Sequence, residues 1–284
     1  MMWFSGAGAT HTGHVRDHNE DSGFLAPCVG LVADGVGGAE AGEVASATVA
    51  AAVVGAVLDA GADTPERTLV LGADRARAGI RRAIQQDLTR LGMATTLTVL
   101  MCDGERVVLG HVGDSRAYRL RDGALAQLST DHTYVAHLVA TGQLGPEAVG
   151  RHPWRNVVLR SVDGDPADQG IDLVPVEAAV GDRFLVCSDG LTDLVPDEEV
   201  AELLGAGAPD EAAAALTEAA LAAGGRDNVT VVVLDLVDGS VVEGTAVGGT
   251  AAEGSGTRLG ALVDPVNVVD PGPVRFGSEA ASAL

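Results

Sequence analysis

The chain has 284 residues, a formal net charge of −22, 46% hydrophobic residues and only 3% aromatics. That acidic excess argues against binding nucleic acid or docking on anionic membranes, both of which need cationic surface. The apolar share is enough for a large core, built mainly from Val, Leu, Ala and Ile.

The opening stretch MMWFSGAGATHTGHVRD has no basic start leading into an apolar segment, and no charge-free run of ~20 apolar residues occurs. A cytoplasmic protein without a membrane span is expected. The three cysteines, Cys28, Cys102 and Cys187, sit in apolar, strand-like runs without C-x-x-C spacing, so buried thiols and no disulfide framework are expected. Residues 13–21, GHVRDHNED, bring Arg16, Glu20 and Asp21 into one short extended run. The apolar run from Val29 reads as a buried strand that ends in Asp34, followed by Gly35, Gly37 and Gly38.

Residues 39–60 have Val and Leu at helical spacing among many alanines, and a core-packed helix is the expectation. A second, amphipathic helix is expected over 65–91. The period then changes to that of strands, and four strand-like runs follow between Ala94 and Ser129, with turns at Asp103-Gly104 and Asp122-Gly123. They read as an antiparallel meander. A short helical run (134–141) and a segment bearing Pro, Arg and His come next, then the strand-like DRFLVCSD, helices at 197–205 and 209–223, and a last strand at 228–237. Strands and helices in separate blocks indicate an α+β layered domain over 1–238. From 239 to 284 the composition turns to Gly, Ala, Ser and Pro without a period, which reads as a flexible low-complexity tail, dispensable for chemistry.

Four aspartates stand at the ends of apolar strands: Asp34, Asp114, Asp189 and Asp227. Any one of them alone is explained by the turn-forming habit of Asp-Gly. All four together point to a cation site, and carboxylates with backbone carbonyls are the ligand set of Mg²⁺ and Mn²⁺ rather than of zinc. Arg16, ahead of Glu20 and Asp21, has the bidentate fork that grips phosphate.

The segments VRDHNEDS, VADGVGG, MATTLTVL, GHVGDSRAYRL, LVCSDGLTD and GRDNVTVVVL resemble, in order and spacing, the metal-dependent protein phosphatases of type 2C, and are most similar to the bacterial Ser/Thr members. The resemblance implies a β-sandwich of two antiparallel sheets flanked by antiparallel helix pairs, a four-layer αββα arrangement. It implies two Mn²⁺ or Mg²⁺ ions, with Asp34 bridging them, the Gly35 carbonyl on one, and Asp189 and Asp227 completing the other. It casts Glu20 and Asp21 as acids that hold metal waters and Arg16 as the phosphate ligand. Asp114 and Asp193 match a third-ion site, and residues 129–165 the flap beside the active site. The implied reaction is hydrolysis of phosphoserine and phosphothreonine in proteins by a metal-bridged hydroxide, opposing a cognate Ser/Thr kinase, in a monomer. A catalytically silent regulatory module on the same fold, or a phosphatase of small phosphate monoesters, are the alternatives. Val36 stands where many eukaryotic relatives carry a histidine, which leaves the general acid to a water or to a nearby histidine such as His18. His111 reads as a core residue, and His132 and His152 as flap contacts. Arg151, Arg155 and Arg160 form either a cationic patch for the phosphopeptide or a solvated face.

Overall fold

The computed structural model describes residues 1–36, 41–61, 63–165, 170–239 and 256–270. Strands β1 (Met2–His11), β2 (Asp21–Ala26) and β3 (Val29–Val36) lead into the helices α1 (Gly42–Leu58) and α2 (Pro65–Gln86). The short β4 (Ala94–Thr95) precedes β5 (Leu97–Cys102), β6 (Val107–Val112), β7 (Arg116–Arg121) and β8 (Ala124–Gln127). Then come α3 (Tyr134–Ala140), β9 (Asp172–Val176), β10 (Arg183–Cys187), α4 (Asp189–Thr192), α5 (Asp197–Gly205), α6 (Pro209–Ala222), β11 (Val229–Asp238) and β12 (Thr257–Gly260).

One sheet runs β1-β11-β10-β7-β8, and the other β12-β2-β3-β5-β6-β9, with β4 on the tip of β3; every pairing is antiparallel. The space between the sheets is filled by Phe4, Val32, Leu100, Leu109, Phe184, Val186 and Val232, with Phe4 and Phe184 meeting edge to face at 6.0 Å. Helices α1 and α2 cover the outer face of the second sheet, and α5 and α6 that of the first. This is the expected four-layer αββα sandwich. It explains why β5 and β6 are buried at every residue: both faces of the sheet are covered, so no polar alternation is needed.

Several expectations change in detail. The run from 94 to 129 is not one meander. Strands β5 and β6 belong to one sheet and β7 and β8 to the other, so the chain crosses between sheets at 113–115. Strand β3 does not stop at Asp34 but continues through Gly35 and Val36, which pair with Thr95 and Ala94. Helix α2 ends at Gln86 because the Asp87 side chain accepts from the Thr89 N–H and starts a separate one-turn 3-10 helix. Asp189 opens the short α4 rather than hanging from a strand end. Cys102 and Cys187 are buried, but Cys28 lies half-buried in the β2–β3 turn. Among the described residues no helix is long and apolar enough to cross a membrane.

The flexible tail assigned to 239–284 is corrected over residues 256–270. There β12 pairs with β2, and two 3-10 turns (Ala261–Val263 and Pro265–Asn267) lay Ala261, Leu262 and Val269 against α1 as buried residues. A four-residue strand and three apolar contacts are too short to produce a period in a Gly- and Ala-rich background. The rest of the tail, and Gly37, Gly38 and the first residues of the 39–60 helix, lie outside the described residues.

Candidate active site

At the end of the sandwich that carries His11, Asp21, Asp34, Val112, Arg116, Cys187 and Val229, the chain crosses between the sheets from β1 to β2 and from β6 to β7. Every acid singled out in the sequence comes to this end. Asp21 and Asp34 are directly opposed across the β2–β3 ladder. Asp114 lies in the β6–β7 crossover, Asp189 and Asp193 flank the short turn of α4, and Asp227 precedes β11.

The main chain around these acids is held by polar side chains. The Asp34 carbonyl accepts from Thr95 Oγ1 (2.8 Å) and the Thr96 N–H (2.9 Å), and its N–H donates to Thr96 Oγ1 (2.9 Å). Gly35 leaves space for the N-terminus of α1: a Cβ there would lie 2.5 Å from the Gly42 carbonyl oxygen. Gly190 does the same beside Asp189, where a Cβ would lie 1.9 Å from the Asn228 carbonyl oxygen, so the DG of CSDG is a packing requirement. Ser188 Oγ donates to Asp21 Oδ2 (2.8 Å) and accepts the Thr230 N–H (3.0 Å).

Asn228 is the residue that sequence reasoning missed. Buried at 4% exposure, it donates from Nδ2 to the carbonyls of Thr12 and His18 (2.9 Å each) and accepts the Glu20 N–H at Oδ1 (2.7 Å). It thereby fixes the whole loop that carries Arg16. Its only signal in the sequence is its place beside Asp227 in GRDNV. His132 also has a different place from the substrate contact expected of it. Its Nδ1 accepts the Gly113 N–H (3.1 Å), its own N–H donates to the Gly113 carbonyl (2.8 Å), and Nε2 meets Asp172 (3.0 Å), so it clamps the turn that presents Asp114. His111 is a core residue as expected, bonded to Thr98 and the Thr130 carbonyl and pushed down to about 4 mainly by burial. Burial pushes the Cys187 thiol up to about 12, which fits an inert strand thiol.

The electrostatics set this end apart. Asp34 is raised well above the usual carboxylate range, first by burial and then by Asp21, Asp189, Asp114 and Asp227. Asp189 is raised by burial and by Asp114, Asp193, Asp227 and Asp21. Asp21 and Asp114 are each pushed up to about 6, chiefly by burial. Burial and Glu43 raise Glu20, and burial raises Asp193, which faces Arg155 and Arg116. Asp21 Oδ1 is buried without a hydrogen-bond donor among the described residues. Arg16 stands at the rim, half exposed, with Nη2 on Asp227 Oδ2 at 2.7 Å.

A cleft of 210 Å³ opens beside the acids, between Asp114, Asp189 and Asp193 on one side and the flap residues Asp131, Thr133 and Arg155 on the other. Arg116 reaches across to Asp131 in a bidentate pair (2.7–3.0 Å). The three flap arginines do not form one patch. Arg160 pairs with Asp172 at 2.9 Å, whereas Arg151 and Arg155 are exposed. His152 stacks with Tyr134 and Trp154, and His18 is exposed in the Arg16 loop. A wider groove of 510 Å³ lies at the opposite end, where Arg183 is paired with Asp235, and it brings together none of these acids.

A family model described as protein phosphatase 2C matches residues 14–222. The chain belongs to the protein phosphatase 2C family. This phosphatase 2C domain is 44% identical over 236 residues to the serine/threonine protein phosphatase PstP of Mycobacterium tuberculosis, a match that covers 82% of this chain and 45% of that one. The chain thus spans about half the length of that curated relative. It is 35% identical over 244 residues to the serine/threonine phosphatase stp of Listeria monocytogenes, covering 80% of this chain and 93% of the relative. Among solved structures it resembles the M. tuberculosis phosphatase PstP/Ppp with a TM-score of 0.79 at 40% identity, over 83% of this chain and 99% of that one. The catalytic domain of PstP in complex with two manganese ions gives 0.74 at 38% identity, over 84% and 100%.

The raised acids have a measurable consequence in the metal-free domain. A carboxyl whose pKa is higher folded than unfolded contributes stability below its unfolded pKa and loses it as the pH rises through the folded value. Asp21 and Asp114, at about 6 against an ordinary 3.8, set the window. In chelator the melting temperature is expected to fall as the pH rises from about 4 to about 7, and Asp34→Asn is expected to flatten that slope. A melting temperature that rises over this range contradicts the crowding of these acids.

Proposed function

We propose that this domain is a Mn²⁺- or Mg²⁺-dependent phosphatase that removes phosphate from serine and threonine side chains of proteins. The observation that carries the reading is the convergence of Asp34 with Asp21, Asp114, Asp189 and Asp227 at one end of the sandwich, Asp21 fully buried and the others half-buried, with Arg16 at the rim. A crowded, part-buried carboxylate cluster without cations to match is costly, so its donor set calls for divalent metal. The orphaned Asp21 Oδ1 fits such a group as well. Among the described residues no three of these side chains converge into a closed ion cage. That openness is compatible with ions that bind through one or two carboxylates and keep several waters.

The family resemblance and the geometry together support Asp34, the Gly35 carbonyl, Asp189 and Asp227 as the groups holding two ions, with Asp114 and Asp193 at a third position. When bound, the ions supply an acidified water and positive charge for the phosphoryl oxygens. The chain's own residues do the rest. Arg16 uses one N–H on Asp227 and has the remainder of its fork for non-bridging phosphate oxygens, so the same side chain orients an acid and receives the substrate. Glu20 and Asp21 are acceptors for water at the floor of the site, and burial favours their neutral forms. Asn228 keeps Arg16 and Glu20 in register with Asp227. Val36 has no proton to give, so the leaving serine or threonine oxygen takes its proton from water or a neighbouring group. The flap and its cleft offer room beside the acids for the chain that bears the phosphate. The names of the mycobacterial and Listeria relatives support serine/threonine phosphoproteins as substrates. A cytoplasmic monomer that opposes a cognate Ser/Thr kinase completes the reading.

Mn²⁺ is expected to support hydrolysis of an aryl phosphate and of a phosphothreonine peptide, and excess chelator to abolish both. Asp34→Asn is expected to lose most of the turnover while its circular dichroism stays that of the wild type. Full activity in chelator would end the metal reading.

Arg16→Ala is expected to raise KM and to lower kcat/KM by about 1.5–3 kcal/mol, the worth of a hydrogen bond to a charged group. Steady-state kinetics identical to wild type would remove Arg16 from the substrate site.

A further inference from the structure

The residues after the β-sandwich do more than trail from it. Strand β12 adds to the free edge of β2 with Thr257 opposite Leu25 and Gly260 opposite Ser22. Leu259 lies over Gly8 and Gly23, where an added Cβ would come within 2.5 and 3.1 Å of its Cδ1. The segment then turns onto α1. Thr48, buried in that helix, donates to the Asn267 carbonyl (3.3 Å) and accepts the Val269 N–H (3.1 Å), and Asn267 Nδ2 closes the turn on the Ala261 carbonyl (3.0 Å). The domain therefore carries a fitted receptacle for residues 256–270, although they lie outside the span 14–222 that matches the family model.

What the segment grips is the back of the acid site. Gly260, at φ +61°, packs so tightly that a Cβ would sit 2.1 Å from the Asp21 carbonyl oxygen. Its ladder partner Ser22 hydrogen-bonds Ser46 of α1 (2.9 Å), and Ser46 Oγ donates to the Glu20 carbonyl (2.5 Å). The main chain of Glu20 and Asp21 is thus clamped between α1 and the C-terminal segment, neither of which lines the cleft beside Asp114, Asp189 and Asp193.

We propose that residues 256–270 are a strap that holds the β2–α1 junction, and through it Glu20 and Asp21, in the geometry that binds metal. The inference rests on the metal reading of the acid site. Removing the strap would free an edge strand and one face of α1, and the two acids at the head of β2 would lose their backing. Partners that orient metal-site groups from behind typically carry about 10–100-fold in metal affinity.

The test uses the full chain. Gly260→Val puts a side chain into the Asp21 carbonyl from a backbone conformation that valine does not adopt. Thr48→Val, of similar shape, removes only the bridge to Asn267 and Val269. Val263→Ser, at an exposed position of the same segment, is the control. Amide hydrogen exchange over 257–262 reports whether the strap is docked, exchange over 20–25 reports the junction, and calorimetry well below the melting temperature reports Mn²⁺ affinity. The expected result for Gly260→Val is faster exchange in both segments and Mn²⁺ binding weakened about tenfold. Thr48→Val is expected to move the same way by less, and the control not at all. Should Gly260→Val fail to fold, Thr48→Val decides. Fast exchange over 257–262 with 20–25 still protected and Mn²⁺ affinity unchanged overturns the proposal, as does a segment that exchanges freely in the wild type. A wild type that binds no Mn²⁺ overturns the metal reading instead, and the strap then stands or falls on the exchange at 20–25.

Discussion

Asp21, fully buried, and Asp34, half-buried, face each other across a β-ladder, and neither has a cation within the ladder to answer it. Like charges directly opposite on paired strands are destabilising, and burial raises the cost. The arrangement persists because the surrounding framework over-determines it. Thr95 and Thr96 hold the Asp34 main chain on one side, Ser188 holds the Asp21 carboxyl on the other, and Asn228 ties the preceding loop. Each lies in or next to a strand that runs into the buried core of the sandwich. The hydrophobic interior of the sandwich is therefore what offsets the crowding at its end.

At the same end the chain passes from one sheet to the other twice, between β1 and β2 and between β6 and β7. A crossover needs turns, and turns free the main chain from ladder pairing, so carboxylates can be delivered there without interrupting a strand. Arg16, Glu20 and Asp114 all ride on these crossovers. The opposite end has the hairpin turns, a further crossover from β9 to β10 and the part-buried ion pair Arg183–Asp235, and it brings together none of the acids Asp21, Asp34, Asp114, Asp189 and Asp227.

Much of this was legible in the sequence, for physical reasons that differ by residue. Long buried strands such as VTVVVL and TVLM announce themselves, and Asp at their ends is conspicuous because it is costly there. The Asp122-Gly123 hairpin was readable because both residues take positive φ. The sheet change at 113–115 was not, since two antiparallel neighbours and two strands split between sheets share the same period. Asn228 and His132 were hidden because their work is done on main-chain groups far away in sequence. The strap was masked by its composition, yet α1 carried an overlooked sign of it. That helix is apolar round most of its circumference, more than a sheet and one helix neighbour require, and the third side is what residues 261–269 cover.

The central claim is that the crowded, part-buried carboxylates are a site made for divalent cations. If so, the metal-free acids hold protons that the ions must displace. The direct measurement is calorimetric titration of Mn²⁺ into chelator-stripped protein near pH 6, repeated in buffers of different ionisation enthalpy so that the protons released per ion are counted. The account predicts binding of two ions with net proton release, and a release that shrinks in Asp34→Asn. Binding without any proton release, or no binding at all, would contradict it.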